Sequence, residues 1–483
     1  MILSTLKKMF YQRCSQLSPK ISTYSLRAQK SPKIFNRKPT FFSVFQAFCI
    51  KGACFPDDEI HVEPIVEKNL DNGLVVISEH IPSIKSVLLG LWVKSGSRSE
   101  KPHQFGISHF LEHMLFKGTK KRSSQEIAKS LECVGGELNA FTSREHCCYY
   151  AKAVDEHTDL VFDIISDLIF QPTFPSEDLS REKDVISQEI DMYDDSPEEV
   201  VHEKLVELMY GHGLGHPVIG FKDIVNKFSR DDLIDYHREY YYPENLFLTI
   251  VGNLNSLNLD RMVQKYFQIT PASGKGRAVF NSEELKQGFS AIHREQEQLH
   301  FSLGWHAYGI SHKDRYVLHI ISTHLGGGMS SELFQEIRER LGLAYNVYTF
   351  VRAYQETGIL GIYCACREND FKTALESVKK SVENIVANGI EEERLNQLKA
   401  QLKGNLLLGL ERSSFRMNRM GVGHLYFDTI TTPDKLIQLV NQVSIRDVKR
   451  VASDIFSRKV SCVTVGNQSQ KKLEQIILST GMF

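Results

Sequence analysis

The sequence has 483 residues, 42% of them hydrophobic, so it is long enough for roughly two to four domains with apolar cores. Its 58 Lys and Arg residues nearly balance its 59 Asp and Glu residues. This balance excludes the strong overall charge that draws a protein to nucleic acid or to an anionic membrane surface.

The N-terminal residues differ from the rest of the chain in composition. Residues 1–56 contain ten Lys and Arg residues and no Asp or Glu. A basic, Ser-rich segment of this kind is typical of a transit peptide, although a disordered tail or a misplaced start codon explains it equally well. We predict a targeting or disordered extension at residues 1–60. The compartment stays open between the mitochondrial matrix, if this segment is a transit peptide, and a bacterial cytoplasm or cell envelope.

Residues 62–270 predict a first domain in which strands and helices alternate. Aliphatic runs at 74–78 and 87–93, separated by a short polar stretch, predict two neighbouring strands. The other predicted elements are a helix at 123–134, two strands within 137–154, a strand at 246–251 and a helix at 259–267.

A metal-binding pattern lies in residues 106–118, which predict a helix that ends at Gly118. Helical spacing places His109, Glu112 and His113 on one face. Two imidazoles one turn apart can take neighbouring corners of a zinc tetrahedron, and a carboxylate beside them can accept a proton. Polar residues without a metal are the alternative, but three such groups on an apolar helix would be costly to bury unpaired. The pattern is H-x-x-E-H.

A catalytic zinc needs a further protein ligand, and a later helix that starts near residues 175–176 offers two carboxylates. Glu182 and Glu189 are seven residues apart, or two helical turns, so both lie on one face. From spacing alone, a solvated helix face is the better interpretation of these two residues.

The second half repeats the order of elements in the first. Residues 271–285 predict a linker and residues 286–475 a second domain. Residues 125–131 (QEIAKSL) and 335–341 (QEIRERL) are similar and precede similar elements, so we predict an internal duplication with a site between the halves. His212 and His216 lie in a Gly- and Pro-containing loop and are predicted to be surface residues rather than a second metal site.

These motifs resemble the pitrilysin or insulinase family of zinc metallopeptidases, which includes the mitochondrial processing peptidase. The resemblance covers about residues 62–470 and is closest to the single-type bacterial members, with a relation to the β subunit of the mitochondrial enzyme. It implies that His109, His113 and Glu189 hold one Zn²⁺, that Glu112 is the general base, and that Glu182 orients a ligand. It also implies an α+β fold of two homologous domains, each a mainly antiparallel sheet packed with helices, facing each other across a cleft.

The resemblance assigns further residues to substrate. Asn139 and Ala140 would contact a peptide laid along an edge strand, although an ordinary protected sheet edge is the alternative. Arg338 and Tyr345 would reach from the second half to stabilise the oxyanion. A phosphate-binding loop at residues 325–331 is a poor alternative, because no Lys-Ser/Thr pair follows the glycines.

The predicted function is a zinc-dependent endopeptidase that cleaves extended peptides, with presequence processing as a narrower version. A scaffold subunit that kept the fold without turnover is the first alternative. A different hydrolase or lyase with the same motif, such as S-ribosylhomocysteine lyase, is the second, but that enzyme is far shorter. We expect a homodimer or a heterodimer with a related subunit, no organic cofactor, no nucleic acid and no transmembrane segment.

Overall fold

The computed structural model describes residues 64–254, 258–267, 284–427 and 429–481. The predicted extension at residues 1–60 and nearly all of the predicted linker at 271–285 lie outside these ranges. Among the helices within them, none combines the length and the apolar character that a membrane crossing requires.

The first half alternates strands and helices in the predicted manner. Its elements are β1 (Val66–Asn69), β2 (Val75–His80), β3 (Ser86–Val93), α1 (Ile107–Leu115), α2 (Ser124–Glu132), β4 (Glu137–Thr142), β5 (Cys147–Val154), α3 (Thr158–Phe170), α4 (Ser176–Asp194), α5 (Pro197–Tyr210), α6 (Lys222–Val225), α7 (Arg230–Tyr240), β6 (Leu246–Gly252) and α8 (Leu259–Tyr266).

The strands of the first half form one mixed sheet in the order β1-β2-β6-β3-β5-β4. β6 pairs in parallel with β2 and antiparallel with β3, so it separates two strands that follow each other in the chain. The prediction that residues 74–78 and 87–93 form neighbouring strands is therefore wrong. The physical reason is that the fully buried β6, which arrives much later in the chain, fills the central position.

The second half has a matching set of elements. They are β7 (Phe289–His293), β8 (Leu299–Tyr308), α9 (Arg315–Gly326), a π-helix (Phe334–Arg340), β9 (Ala344–Ala353), β10 (Thr357–Cys366), α10 (Phe371–Asn388), α11 (Glu392–Leu410), α12 (Ser413–Tyr426), α13 (Pro433–Asn441), α14 (Ile445–Phe456), β11 (Ser461–Gly466) and α15 (Gln470–Thr480).

The second sheet repeats the topology of the first. Its order is β7-β11-β8-β10-β9, which matches β2-β6-β3-β5-β4 strand for strand. The last strand of each half pairs in parallel with the first strand of this common set, and the other pairings of the set are antiparallel. The fold is therefore α+β with two similar halves, as the duplication of elements predicted.

One helix of each half packs on the sheet of the other half. α5 belongs to the first half, yet Met209 packs in a buried cluster with Ile359 of β10. α12 belongs to the second half, yet Met417 packs in a buried cluster with Trp92 of β3. The central strands bury side chains on both faces because of these helices, so neither sheet is fully covered without the other half.

The packing of α12 on the first sheet leaves no space at Gly421. A Cβ atom there would lie 2.2 Å from Cζ2 of Trp92, whereas a Cβ atom at Gly404 in α11 would meet nothing within 4 Å. We expect Gly421→Ala to lower the free energy of unfolding by about 1–3 kcal/mol through overpacking.

The matched control is Gly404→Ala, which we expect to raise the free energy of unfolding by about 0.5–1 kcal/mol because alanine restricts the unfolded chain. Urea unfolding midpoints of the two variants would test this pair of predictions. A shift of both midpoints in the same direction would contradict the packing described for α12.

Candidate metal centre

Helix α1 carries the H-x-x-E-H motif on its less buried side. Phe110, Leu111 and Met114 point into the core of the first half, which leaves His109, Glu112 and His113 partly exposed on the opposite side. The helix ends at Leu115 rather than at Gly118, so the predicted glycine cap is wrong. The reason is that Gly118 has left the helix and pairs with Ser123 in an isolated β-bridge.

A buried carboxylate fixes the start of α1. Glu100 accepts hydrogen bonds from the backbone N–H groups of Gly106 (2.7 Å) and Ser108 (2.8 Å), which have no partner within the helix. A negative charge at this end also interacts favourably with the helix dipole. Glu100 therefore holds the first turn of the motif helix, a role that sequence reasoning missed.

His216 supports Glu100 from the loop after α5. Its Nε2 atom lies 3.2 Å from Oε2 of Glu100, and its ring stacks on Phe105 with centroids 3.9 Å apart. His216 is 2% exposed, so the prediction that it is a surface residue is wrong. His212 is exposed, as predicted.

The structure brings the three predicted ligands together. Nε2 of His109 and Nε2 of His113 lie 3.9 Å and 3.7 Å from the same carboxylate oxygen, Oε2 of Glu189 on α4. One ligand atom from each of the three residues lies within 4.8 Å of the others. In the part of the chain that the structure describes, this is the one group of His, Cys, Asp or Glu residues with such spacing.

The ligand atoms fit a tetrahedral zinc ion. Zinc–nitrogen and zinc–oxygen distances near 2.1 Å place ligand atoms about 3.4 Å apart, so each nitrogen–oxygen distance would have to shorten by no more than roughly half an ångström. Oε2 of Glu189 is buried and has no hydrogen-bond partner in the described residues, although it faces two imidazoles. Burial, and then the neighbouring His113, lowers the pKa of His109 to about 3, so this ring is neutral and can bind a metal.

A second carboxylate orients His113. Glu182 Oε2 lies 2.9 Å from Nδ1 of His113, and its other oxygen lies 2.6 Å from Nζ of Lys117. When Nδ1 donates to Glu182, Nε2 keeps the lone pair that faces Glu189. Burial raises the pKa of Glu182, but the bonds to His113 and Lys117 outweigh it, so the pKa of this carboxyl lies below its usual value.

This contact predicts the effect of changing Glu182. We expect Glu182→Gln to weaken zinc binding about 10- to 100-fold, because a neutral amide no longer fixes the His113 ring or raises its basicity. Competition with a chromophoric chelator would measure the change. The control is Glu177→Gln on the same helix, an exposed carboxylate whose removal should leave zinc affinity unchanged. Equal affinities of Glu182→Gln and wild type would contradict the contact.

Glu112 is held beside this cluster by a strand residue. Its Oε2 atom accepts a hydrogen bond of 2.5 Å from Oγ1 of Thr142, the last residue of β4. Burial raises the pKa of Glu112, the nearby Glu189 raises it further, and the bond from Thr142 and the nearby His113 work in the opposite direction. Sequence reasoning assigned no role to Thr142.

Comparison with known proteins places this centre in a family. Residues 75–221 match the profile of insulinase (peptidase family M16), and residues 227–402 match that of the peptidase M16 inactive domain. The chain belongs to the M16 family. Its metal motif lies entirely in the first of the two matched M16 domains.

The M16 relatives are similar over most of their length. The uncharacterized zinc protease YmxG of Bacillus subtilis is 37% identical over 391 residues, which is 80% of this chain and 94% of the relative. The uncharacterized zinc protease Rv2782c of Mycobacterium tuberculosis is 35% identical over 413 residues, which is 83% of this chain and 93% of the relative.

Solved structures share the M16 fold. A protease from Helicobacter pylori superposes with a TM-score of 0.79 at 23% identity, covering 84% of this chain and 100% of that chain. A peptidase M16 inactive domain from Pseudomonas fluorescens gives a TM-score of 0.78 at 18% identity, covering 84% of this chain and 98% of that chain. At these identities the likeness shows the fold alone.

The strand predicted to bind substrate lies at the edge of the first M16 sheet. β4 pairs with β5 on one side, and it is the outermost strand of the sheet in the described residues. The backbone N–H of Ala140 donates to the side-chain oxygen of Asn139 (2.9 Å) instead of to β5. Part of the free edge of β4 is therefore occupied by its own side chain.

The structure also joins Arg338 and Tyr345 in the second M16 half. Arg338 lies in a π-helix, and its Nη1 atom donates to the carbonyl oxygen of Tyr345 (3.1 Å). The guanidinium carbon lies 4.4 Å from the centroid of the Tyr345 ring. Tyr345 is 69% exposed, and in the described residues neither side chain has a hydrogen bond or ion pair to His109, His113 or Glu189.

Proposed function

We propose that this M16-family protein is a zinc-dependent endopeptidase that cleaves extended peptides. The observation that carries the proposal is the convergence of the two Nε2 atoms of His109 and His113 on Oε2 of Glu189, a buried oxygen that accepts no hydrogen bond within the described ranges. Three protein ligands around one open position are the pattern of a catalytic zinc site rather than a structural one. Glu112 on the same helix face supplies the carboxylate that hydrolysis requires.

The residues around the site have complementary roles in this proposal. Bound zinc would polarise the scissile carbonyl and lower the pKa of a water molecule. Glu112 accepts the proton of the attacking water and passes it to the departing amine. Thr142 holds one oxygen of Glu112, which fixes the orientation of this base. Glu182 keeps His113 in the tautomer that can bind metal.

Strand β4 is the proposed binding place for the peptide. A free strand edge offers backbone donors and acceptors to any extended chain, which gives binding with little dependence on sequence. Asn139 and Ala140 lie on this strand, whose last residue holds Glu112. We therefore propose that the peptide pairs with β4 and that the side chain of Asn139 moves to release the N–H of Ala140.

The second half supplies donors for the negative charge that develops on the carbonyl oxygen. The guanidinium cation of Arg338 lies over the phenol ring of Tyr345, and Tyr345 is exposed to solvent. Donors aimed at developing charge often supply the largest part of catalysis in hydrolysis. In this proposal the pair reaches the carbonyl when a peptide occupies β4.

Zinc removal and replacement test the proposed function. A library of extended peptides, including basic presequence-like sequences, is incubated with the protein, and the products are identified by mass spectrometry. We expect cleavage that a chelator abolishes and that zinc restores, with added magnesium as the control that does not restore it. A fully zinc-loaded protein without cleavage would overturn the proposal in favour of a noncatalytic scaffold subunit.

A further inference from the structure

The turn between β4 and β5 contains a buried carboxylate that the proposed chemistry does not use. Glu145 is 4% exposed, and its oxygens accept hydrogen bonds from Arg98, Gln355 and Tyr426. A buried carboxylate is stable only when such donors replace the water it has lost. These donors therefore hold Glu145, and with it the side of the turn that faces the second half, in the observed position.

Two of the three donors come from the second half of the chain. The backbone N–H of Gln355, in the turn between β9 and β10, lies 3.1 Å from both oxygens of Glu145. The hydroxyl of Tyr426, the last residue of α12, donates to Oε2 at 2.8 Å. Arg98 joins the two turns, because it donates to Glu145 at 2.6 Å and to Glu356 at 2.8 Å.

The first half holds the backbone of the same turn closely. The N–H groups of Ser97 and Arg98 donate to the carbonyl oxygens of Ser143 (3.1 Å) and Arg144 (2.7 Å). A Cβ atom at Gly96 would lie 2.3 Å from the carbonyl oxygen of Ser143, so the two segments approach as closely as glycine allows. The turn is thus clamped between residues 96–98 on one side and the second half on the other.

The clamped turn begins one residue after the contact to the general base. Thr142 ends β4 and donates to Glu112, and residues 143–146 then form the turn that contains Glu145. Only two residues lie between Thr142 and Glu145 in the chain, so a displacement of the turn would also displace the end of β4 that carries the Thr142 hydroxyl. The Thr142–Glu112 bond of 2.5 Å leaves little room for such a movement.

We propose that the second half of the chain positions the general base of the first half through this turn. Tyr426 and the backbone of Gln355 hold Glu145, and Glu145 holds the turn that places Thr142 against Glu112. Glu145 and Tyr426 are positioning residues, because they act through Thr142 and do not touch the reacting atoms. This inference rests on the proposed function, in which Glu112 is the base.

Tyr426→Phe tests the inference, because it removes one hydroxyl and keeps the ring. We expect kcat to fall about tenfold, as for the loss of a hydrogen bond to a buried charge, with KM and zinc content nearly unchanged. The matched control is Tyr308→Phe, which removes a similar 2.6 Å bond from a tyrosine hydroxyl to Asp454 elsewhere in the second half. The control should keep wild-type kcat, and an equal fall in both variants would overturn the inference.

A double-mutant cycle with Thr142→Val separates positioning from general destabilisation. If Tyr426 acts only through the Thr142–Glu112 bond, the double variant should be no slower than Thr142→Val alone, since that bond is already lost. A purely structural role of Tyr426 predicts that the two losses in kcat multiply. Multiplied losses would therefore overturn the inference.

Hydrogen exchange provides a readout that does not depend on cleavage. We expect faster exchange of the backbone amides of residues 140–147 in Tyr426→Phe and unchanged exchange there in Tyr308→Phe. Unchanged exchange in both variants would show that Tyr426 does not hold the turn at residues 143–146, even if the enzyme is active. If wild type binds zinc without cleaving peptides, the proposed function fails, while the exchange experiment still decides whether the second half holds the turn.

Discussion

Glu112→Gln is expected to lower kcat by roughly 10²- to 10⁴-fold, which is the usual contribution of a general acid–base group. Glutamine has nearly the same size and can still accept the hydrogen bond from Thr142, so the site should keep its shape. It cannot take a proton from water, however. Steady-state cleavage of a peptide identified in the library would measure the effect.

Two controls make this result specific for the assigned base. Zinc content of Glu112→Gln should equal that of wild type, because Glu112 is not one of the three converging ligands. Glu132→Gln, at the exposed end of α2, removes a carboxylate that is not part of the converging group and should keep full activity. Cleavage by Glu112→Gln at the wild-type rate would contradict the role of this residue.

Glu189→Gln is expected to have the largest effect on zinc binding. It removes the negative charge from the oxygen on which both imidazoles converge. The loss of zinc affinity should exceed the roughly 10- to 100-fold loss that is typical for a residue that only supports a ligand. Zinc released by the purified variant, measured by competition with a chromophoric chelator, would test the prediction.

The control for Glu189 lies on the same helix. Asp184→Asn removes an exposed carboxylate of α4 and should not change zinc affinity. Together with Glu182→Gln, the three variants should form a series in which affinity falls from Asp184 to Glu182 to Glu189. A Glu189→Gln protein that binds zinc as tightly as Asp184→Asn would show that Glu189 is not a ligand.

Residue spacing predicted those features of the site that lie within one helix. The 3.6-residue repeat places His109 and His113 together on α1, and it places Glu182 and Glu189 together on α4. It does not predict how two helices pack against each other. The approach of α4 to α1 was implied only by the family resemblance, and the structure places Glu189 within 4 Å of both histidines.

Contacts between distant segments account for what the sequence did not predict. Thr142 reaches Glu112 because β4 ends beside α1, and His216 reaches Glu100 across more than one hundred residues. Neither pair has a periodic spacing that sequence analysis could detect. The same limit explains the wrong pairing of the first two aliphatic strands, since β6 enters between β2 and β3 from the end of the first half.

The duplication was more visible in the order of elements than in residue identity. The similar segments QEIAKSL and QEIRERL fold differently, because residues 125–131 lie in the α-helix α2 whereas residues 335–340 belong to the π-helix. The strand order nevertheless repeats, since each set of buried strands must satisfy the same pairing and covering constraints. The packing of α5 and α12 on the sheet of the opposite half could not be predicted, because an apolar helix face does not indicate which sheet it covers.

Anomalous diffraction at the zinc absorption edge, from crystals of the zinc-loaded protein, tests most directly whether three side chains hold one metal ion. We expect one peak per chain, about 2.0–2.2 Å from Nε2 of His109, Nε2 of His113 and a carboxylate oxygen of Glu189. A zinc peak bound by the two histidines without Glu189, or a peak elsewhere and none at this position, would contradict the account.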